Sequence, residues 1–185
     1  MRSREQSIAR TVYVPHSWKG GQLMPESEPP VRLSFELSLF ADYHQFYPQD
    51  EPASGDLSRS WDAEAMTRLL AVAPDVIGVR TARNMIVPVT VKILDSSPPE
   101  DFTFWDQVVE ASINISSGRV VIAGCTDYFP DAMRIPVEPG IYRVRIYYGG
   151  LASISEDGLE GEDHYQVVLW PEKYSAPKIL KKWSS

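Results

Sequence analysis

Apolar and polar side chains alternate in several separate runs along the chain. Val31, Leu33, Phe35, Leu37 and Leu39 are interleaved with Arg32, Ser34, Glu36 and Ser38. A period of two over such a run predicts a half-buried strand. Val87, Val89, Val91 and Ile93 repeat the pattern, with Pro88 and Lys92 on the other face. Proline has no amide proton, so this strand is expected at a sheet edge or a bulge. Val109, Ala111, Ile113 and Ile115 alternate with Glu110, Ser112 and Asn114, and Ser116-Ser117-Gly118 leads into the apolar stretch 120–123. That arrangement predicts a hairpin. After Pro139-Gly140, Tyr142, Val144, Ile146 and Tyr148 oppose Arg143, Arg145 and Tyr147. Tyr165, Val167 and Leu169 give one more alternating run, closed by Pro171, and residues 76–79 give a shorter one.

Only residues 61–72 carry a helical pattern. Asp62 and Glu64 suit the positive end of a helix, Ala65, Met66, Leu69 and Leu70 form its apolar side, and Pro74 forbids much continuation. About seven or eight antiparallel strands with one apolar face each need a second layer to cover that face. The expected fold class is therefore all-β, an antiparallel β-sandwich with one short capping helix, and a barrel is the alternative. A parallel sheet is not expected, because the helices for crossovers are missing. Residues 1–30 hold Pro15, Pro25, Pro29 and Pro30 around Gly20-Gly21. They read as an extended lead-in, in which Val12, Tyr13 and Val14 are a candidate edge strand. The sandwich is placed at 31–171, and 172–185 is a basic C-terminal tail, expected to be loose.

With 185 residues, 20.8 kDa, 43% hydrophobic and 11% aromatic side chains, the chain has material for one sizeable core and too little for two ordinary enzyme domains. Cys125 is the single cysteine, which excludes an internal disulfide and a thiolate cage for zinc or iron–sulfur. No run of 18 apolar residues occurs, and the basic start lacks the apolar segment of a secretory signal. A soluble cytoplasmic protein is the expectation.

The formal charge of −7 is unevenly placed. Arg2, Arg4, Arg10 and Lys19 face only Glu5 in residues 1–20, and Lys173, Lys178, Lys181 and Lys182 have no acid beside them in 173–185. Ten basic and 24 acidic side chains remain for residues 21–172. Such a body repels a phosphate backbone and attracts a cationic partner. The densest acidic run holds Glu156, Asp157, Glu160, Glu162 and Asp163 among Gly158 and Gly161. Like charges this close resist burial and the glycines favour turns, so an exposed loop is expected. Its spacing does not match a twelve-residue calcium loop.

Candidate chemistry is thin. His16 lies in the lead-in, while His44 and His164 adjoin Asp42 and Asp163. An enzyme would require Asp42, His44 and His164 to converge, but no metalloprotease, serine-hydrolase or phosphate-loop motif is present. Asp127 near Cys125 opposes a thiolate, so a quiet, partly buried cysteine is expected. No catalytic residue, cofactor or metal is assigned. Trp105, Tyr128, Phe129, Tyr147 and Tyr148 are candidates for stacking on sugars, which gives a carbohydrate- or small-ligand-binding sandwich as the alternative function.

From Glu36 to Phe46 the chain becomes recognisable. Tyr43-His44-Gln45-Phe46 is followed by Asp50, by Trp61-Asp62-Ala63-Glu64-Ala65, by Gly78, and by Thr81-Ala82-Arg83-Asn84. An acidic strand from Asp106 to Ile113, Pro139-Gly140-Ile141-Tyr142 and Asp163-His164-Tyr165 complete the order. Over roughly residues 35–170 this succession resembles the competence protein J family, also described as nuclease-inhibitor proteins. The longer lead-in and the basic C-terminal extension depart from that pattern.

The resemblance implies a small non-enzymatic protein that pairs with a competence DNA-entry nuclease and suppresses it, or an immunity-type partner of a secreted nuclease or other toxin. It implies no catalytic residue and no cofactor. The acidic body supplies a physical reason for such pairing, because a nuclease that binds phosphate presents cationic surface. The partner expected is a basic protein, with no direct nucleic acid and no membrane insertion, and unpaired sheet edges leave a homodimer open. Glu156, Asp157, Glu160, Glu162 and Asp163 are the candidate partner-binding residues, together with Arg83 as an anchor for a partner's carboxylate.

Overall fold

The computed structural model describes residues 30–184. The lead-in, with the candidate strand Val12, Tyr13 and Val14 and with His16, lies outside the described residues. The elements in chain order are β1 (Val31–Phe40), β2 (Gln45–Asp50), α1 (Ala63–Arg68), β3 (Leu70–Ala73), β4 (Val76–Arg80), β5 (Ile86–Leu94) and β6 (Gln107–Ile115). They continue with β7 (Arg119–Gly124), β8 (Met133–Pro136), β9 (Gly140–Gly149), β10 (His164–Pro171) and β11 (Lys178–Lys181). One sheet has the order β1-β5-β10-β9-β6-β11, the other β3-β4-β2-β7-β8. The all-β sandwich is as expected, but with eleven strands among the described residues rather than about seven or eight.

The alternation defines the core. Inward residues such as Leu37, Val89, Ile146 and Val167 of the six-stranded sheet pack with Phe46, Ile77, Val120 and Ile135 of the other in one buried cluster. Burial of this kind contributes about 25 cal/mol per Å² of apolar surface. The outer face of the six-stranded sheet is covered as well. Leu94, Val108, Tyr147, Val168 and Trp170 form a second cluster with Phe102, Trp105 and Leu180 against it. Beneath that cover Glu110 is buried between Arg143 Nη2 and Arg145 Nε, both at 2.7 Å, with Lys178 Nζ at 3.1 Å. Burial alone would raise the Glu110 carboxyl pKa; hydrogen bonds from the two arginines and Lys178 outweigh it and hold the pKa below the usual value.

Four local expectations are corrected. First, Ser116-Ser117-Gly118 is not a hairpin turn: β6 pairs with β9 and β11, whereas β7 pairs with β2 and β8, so this turn carries the chain between sheets. Asp50 makes the crossing possible. Its buried carboxylate accepts Ser116 N at 2.9 Å and Oγ at 2.7 Å, and Ser117 N at 3.2 Å and Oγ at 2.5 Å. Second, β5 lies between β1 and β10 rather than at an edge. Pro88 stands opposite Ser38, one residue before β10 begins to pair at Tyr165↔Val89, so its missing amide costs the β10 ladder nothing. Third, β5 and β10 are parallel; the chain between them contains β6 to β9, which does the work of a crossover helix. Fourth, the helix ends at Arg68. Asp62 caps its start through Ala65 N at 2.8 Å, and Leu69 closes it in the left-handed region at φ 57°. Leu70 to Ala73 then pair with β4 across Pro74-Asp75, where Asp75 takes φ 60°.

The C-terminal segment also differs from a loose tail. Lys178 and Ile179 pair with Glu110 and Val109 as the edge strand β11. Arg143 Nη1 donates to the Ser175 carbonyl at 2.8 Å, which fastens the approach to that strand. Among the described residues, no helix is long and apolar enough to cross a membrane.

Candidate partner-binding site

The strand pairings fix what gathers at each end of the sandwich. Phe40 lies beside Ile86, His164 beside Gly149 and Tyr148 beside Gln107 in one sheet. Gln45 lies beside Arg80 and Phe46 beside Gly124 in the other. The connections 41–44, 81–85, 125–132 and 150–163 therefore emerge at the same end. The amide of Thr81 donates to the His44 carbonyl at 2.9 Å and joins two of them.

The acidic run is the longest of these connections, and its backbone is tied to itself. Ser155 N donates to the Glu160 carbonyl at 2.9 Å, and Glu160 N returns to Ser155 Oγ at 2.9 Å. Glu162 N donates to Ser153 Oγ at 2.7 Å. Gly158 supplies the left-handed turn at φ 71°. Asp157 accepts Ser155 Oγ at 2.6 Å and Leu159 N at 3.1 Å, and these bonds, the serine's first, hold its pKa below the usual carboxylate value. Glu156, Asp157, Glu160 and Glu162 are exposed, as expected.

Asp163 departs from the exposed-loop expectation: it is fully buried. One carboxylate oxygen accepts Arg83 Nε, and the other accepts the Tyr165 hydroxyl at 2.7 Å. The same hydroxyl accepts Ala82 N at 2.7 Å. Burial, with the hydrogen bond to Asp163 and its charge adding to it and the Ala82 amide opposing, pushes the Tyr165 pKa far upward, so the phenol stays protonated as a donor. Its ring meets Phe46 and Tyr148 edge-on, with centroids 5.9 Å and 5.7 Å away. Gly161 packs closely in the same arrangement, since a Cβ there would stand 3.3 Å from Arg83 Cδ and 2.7 Å from the terminal Cδ1 of Ile154. The structure thus brings Arg83 and Asp163 together, but in contact with each other inside the protein. The sequence signal for the missed member, Tyr165, is its place on the inward parity of β10.

The three groups an enzyme would need hold separate contacts. Asp42 Oδ1 accepts Tyr43 N at 2.9 Å. His44 is half-buried, and its Nδ1 meets no hydrogen-bond partner among the described residues. His164 stacks obliquely on Trp105 at 5.4 Å, with Nδ1 at 3.0 Å from the Glu162 carbonyl. Among the described residues no group of three His, Cys, Asp or Glu could hold a metal ion. Cys125 is half-buried beside Gln45 Nε2 at 4.0 Å, and burial followed by contact with Cys125 raises the Tyr47 pKa. Of the aromatics considered for stacking, Tyr147 and Tyr148 are buried while Tyr128 is exposed. A groove of about 350 Å³ on the outer face of the five-stranded sheet is lined by Gln45, Tyr47, Gln49 and Trp61. The Trp61 indole lies against Gly78, where a Cβ would come within 2.8 Å of its ring.

No family model matches the chain, and no curated protein matches it in sequence. Two solved structures resemble it in fold. ComJ from Bacillus subtilis, described as an inhibitor of the DNA-degrading activity of NucA, matches with a TM-score of 0.58 at 18% identity, over 79% of this chain and 100% of that one. The crocagin biosynthetic gene J product matches with a TM-score of 0.49 at 20% identity, over 81% of this chain and 100% of that one. At 18% identity the likeness to ComJ concerns the fold.

Proposed function

We propose that the protein is a non-enzymatic inhibitor or immunity-type protein that binds a basic nuclease and blocks it. The observation that carries this reading is the anchored acidic loop, in which four exposed carboxylates stand on a backbone fixed by Asp163, Arg83 and Tyr165. A fixed array of negative charge offers a cationic, phosphate-binding surface a competitor for its substrate, and it speeds encounter over many ångströms. The fold shared with ComJ, an inhibitor of a DNA-degrading nuclease, supports the same direction. Glu156, Asp157, Glu160 and Glu162 would face the partner, and Arg83 and Asp163 would hold the loop in place.

The test is a titration. Nucleases from the cell that makes this protein are purified and their degradation of a fluorogenic DNA is followed as the protein is added. The reading expects one basic nuclease to lose activity at a fixed stoichiometry, with the DNA itself left unbound by the protein. Undiminished degradation by every such nuclease at a large excess of protein would remove it.

A further inference from the structure

We propose that Phe40, Tyr43, Met85 and Ile86 form the apolar centre of a docking surface whose occupant is a cationic protein. The inference rests on the inhibitor reading for the partner's charge, and it assigns the affinity-bearing part of the interface to residues outside the acidic loop.

These four side chains are exposed although each is large and apolar: Tyr43 is 69% exposed, Ile86 61%, Phe40 41% and Met85 36%. They are also neighbours. Phe40 pairs with Ile86 across β1 and β5, and Ala41 N donates to the Met85 carbonyl at 3.0 Å. Tyr43 projects from the corner that follows Phe40. A scattered exposed hydrophobe needs no explanation, but four large ones gathered on adjacent segments at one end of a sandwich point to an interaction surface.

The corner is built so that Tyr43 points outward. Tyr43 and His44 both take left-handed backbone angles, φ 55° and φ 58°, which residues other than glycine rarely adopt. Hydrogen bonds from His44 N to the Ala41 carbonyl at 3.0 Å and from Thr81 N to the His44 carbonyl at 2.9 Å hold it there. The following Phe46 takes the inward place in the core, while the Tyr43 ring lies outside the buried cluster. A rigid tyrosine with an apolar body and a polar tip is a frequent anchor at protein interfaces.

The rim fixes the partner's chemistry. Asp42 lies in the same corner, and exposed Asp127 bonds Gly124 N beside the Phe40 carbonyl. The acidic loop is joined to the patch by the connection that carries both Arg83 and Met85. Arg83, the cation of that connection, is paired with Asp163. Arg80, at the end of β4 beside Gln45, is a further cation at this end, and the carboxylates of Asp42, Asp127 and the acidic loop outnumber it. This excess of negative charge disfavours nucleic acid and the same face of a second copy, and it complements a basic protein surface.

The test places a photo-crosslinking benzoylphenylalanine at Tyr43, Ile86 or Glu160, and at Glu138 on the opposite end of the sandwich, in the cell that makes the protein. The adduct partner is then purified and its dissociation constant measured against Tyr43→Ala and Ile86→Ser. Expected are adducts from positions 43 and 86 with one basic protein, few from 138, and about tenfold weaker binding for each substitution with thermal unfolding unchanged. Equal yield from 138, adducts with a second copy or an acidic protein, or unchanged affinity overturns the inference. Adducts from 160 alone remove the apolar centre and leave the inhibitor reading standing. A basic partner without nuclease activity keeps the surface and removes the inhibitor reading, and no adduct at any position removes both.

Discussion

The Arg83 guanidinium donates from Nε to the carboxylate of Asp163, a residue 80 positions away in the chain. The contact divides the acidic run into two kinds of carboxylate. Asp163 is buried and holds the root of the loop, whereas Glu156, Asp157, Glu160 and Glu162 face water. Burying a carboxylate is costly unless its oxygens are filled, and Arg83 and Tyr165 each fill one oxygen of Asp163. Asp163 thus fixes the root of the loop, while Ser153 and Ser155 tie the segment that carries the four exposed charges.

Replacing Arg83 by Met leaves that carboxylate without its cation. The expected cost to folding is about 3–5 kcal/mol, and amide exchange in residues 155–162 should accelerate more than in β9 or β10. Hydrogen-exchange mass spectrometry checks this. Equal protection of the loop in Arg83→Met and wild type would show that the pair does not anchor it.

Asp50 links stability to acid pH. Burial alone would raise its pKa, but hydrogen bonds from the hydroxyls and amides of Ser116 and Ser117 outweigh burial and leave the pKa below the usual carboxylate value. A depressed folded-state pKa gives stability that is present above the unfolded value and is lost as pH falls through the folded one. Asp50→Asn should cost about 1–3 kcal/mol at neutral pH, since its amide places a donor where Ser116 and Ser117 already donate. The gap between the two proteins should narrow as pH drops below about 4, measured by denaturant unfolding across a pH series.

Glu110 sits between Arg143 and Arg145 under the cover of the outer cluster. Glu110→Ala strands two buried guanidinium groups and should destabilise by about 3–5 kcal/mol. The triple change Glu110→Leu, Arg143→Met, Arg145→Met should recover most of that loss, because it removes the charges together. Chemical denaturation of both variants distinguishes the two outcomes.

Strands with one polar face were readable because their side chains alternate: β1, β5, β6, β9 and β10 all show it. β2 hides its period, since its inward positions are Phe46, Pro48 and Asp50, and only the first is a hydrophobic signal. β3 continues an apolar stretch that also suits a helix, and the left-handed Leu69 that separates them leaves no mark in the sequence. Ser116-Ser117-Gly118 reads as a hairpin turn because the carboxylate that redirects it comes from a residue 66 positions earlier. The same locality conceals the site. An acidic run reads as exposed charge, and the burial of Asp163 depends on Arg83 and Tyr165 meeting it from elsewhere in the fold.

The most direct measurement is the association rate of the protein with the nuclease that the proposed titration would identify, from low to moderate salt. Wild type is compared with a variant carrying Glu156→Gln, Asp157→Asn, Glu160→Gln and Glu162→Gln, with Asp163 left in place. The expected result is slower association and a flatter salt dependence in the variant, with dissociation little changed. Identical association rates for the two proteins at every salt concentration would contradict the role assigned to the loop.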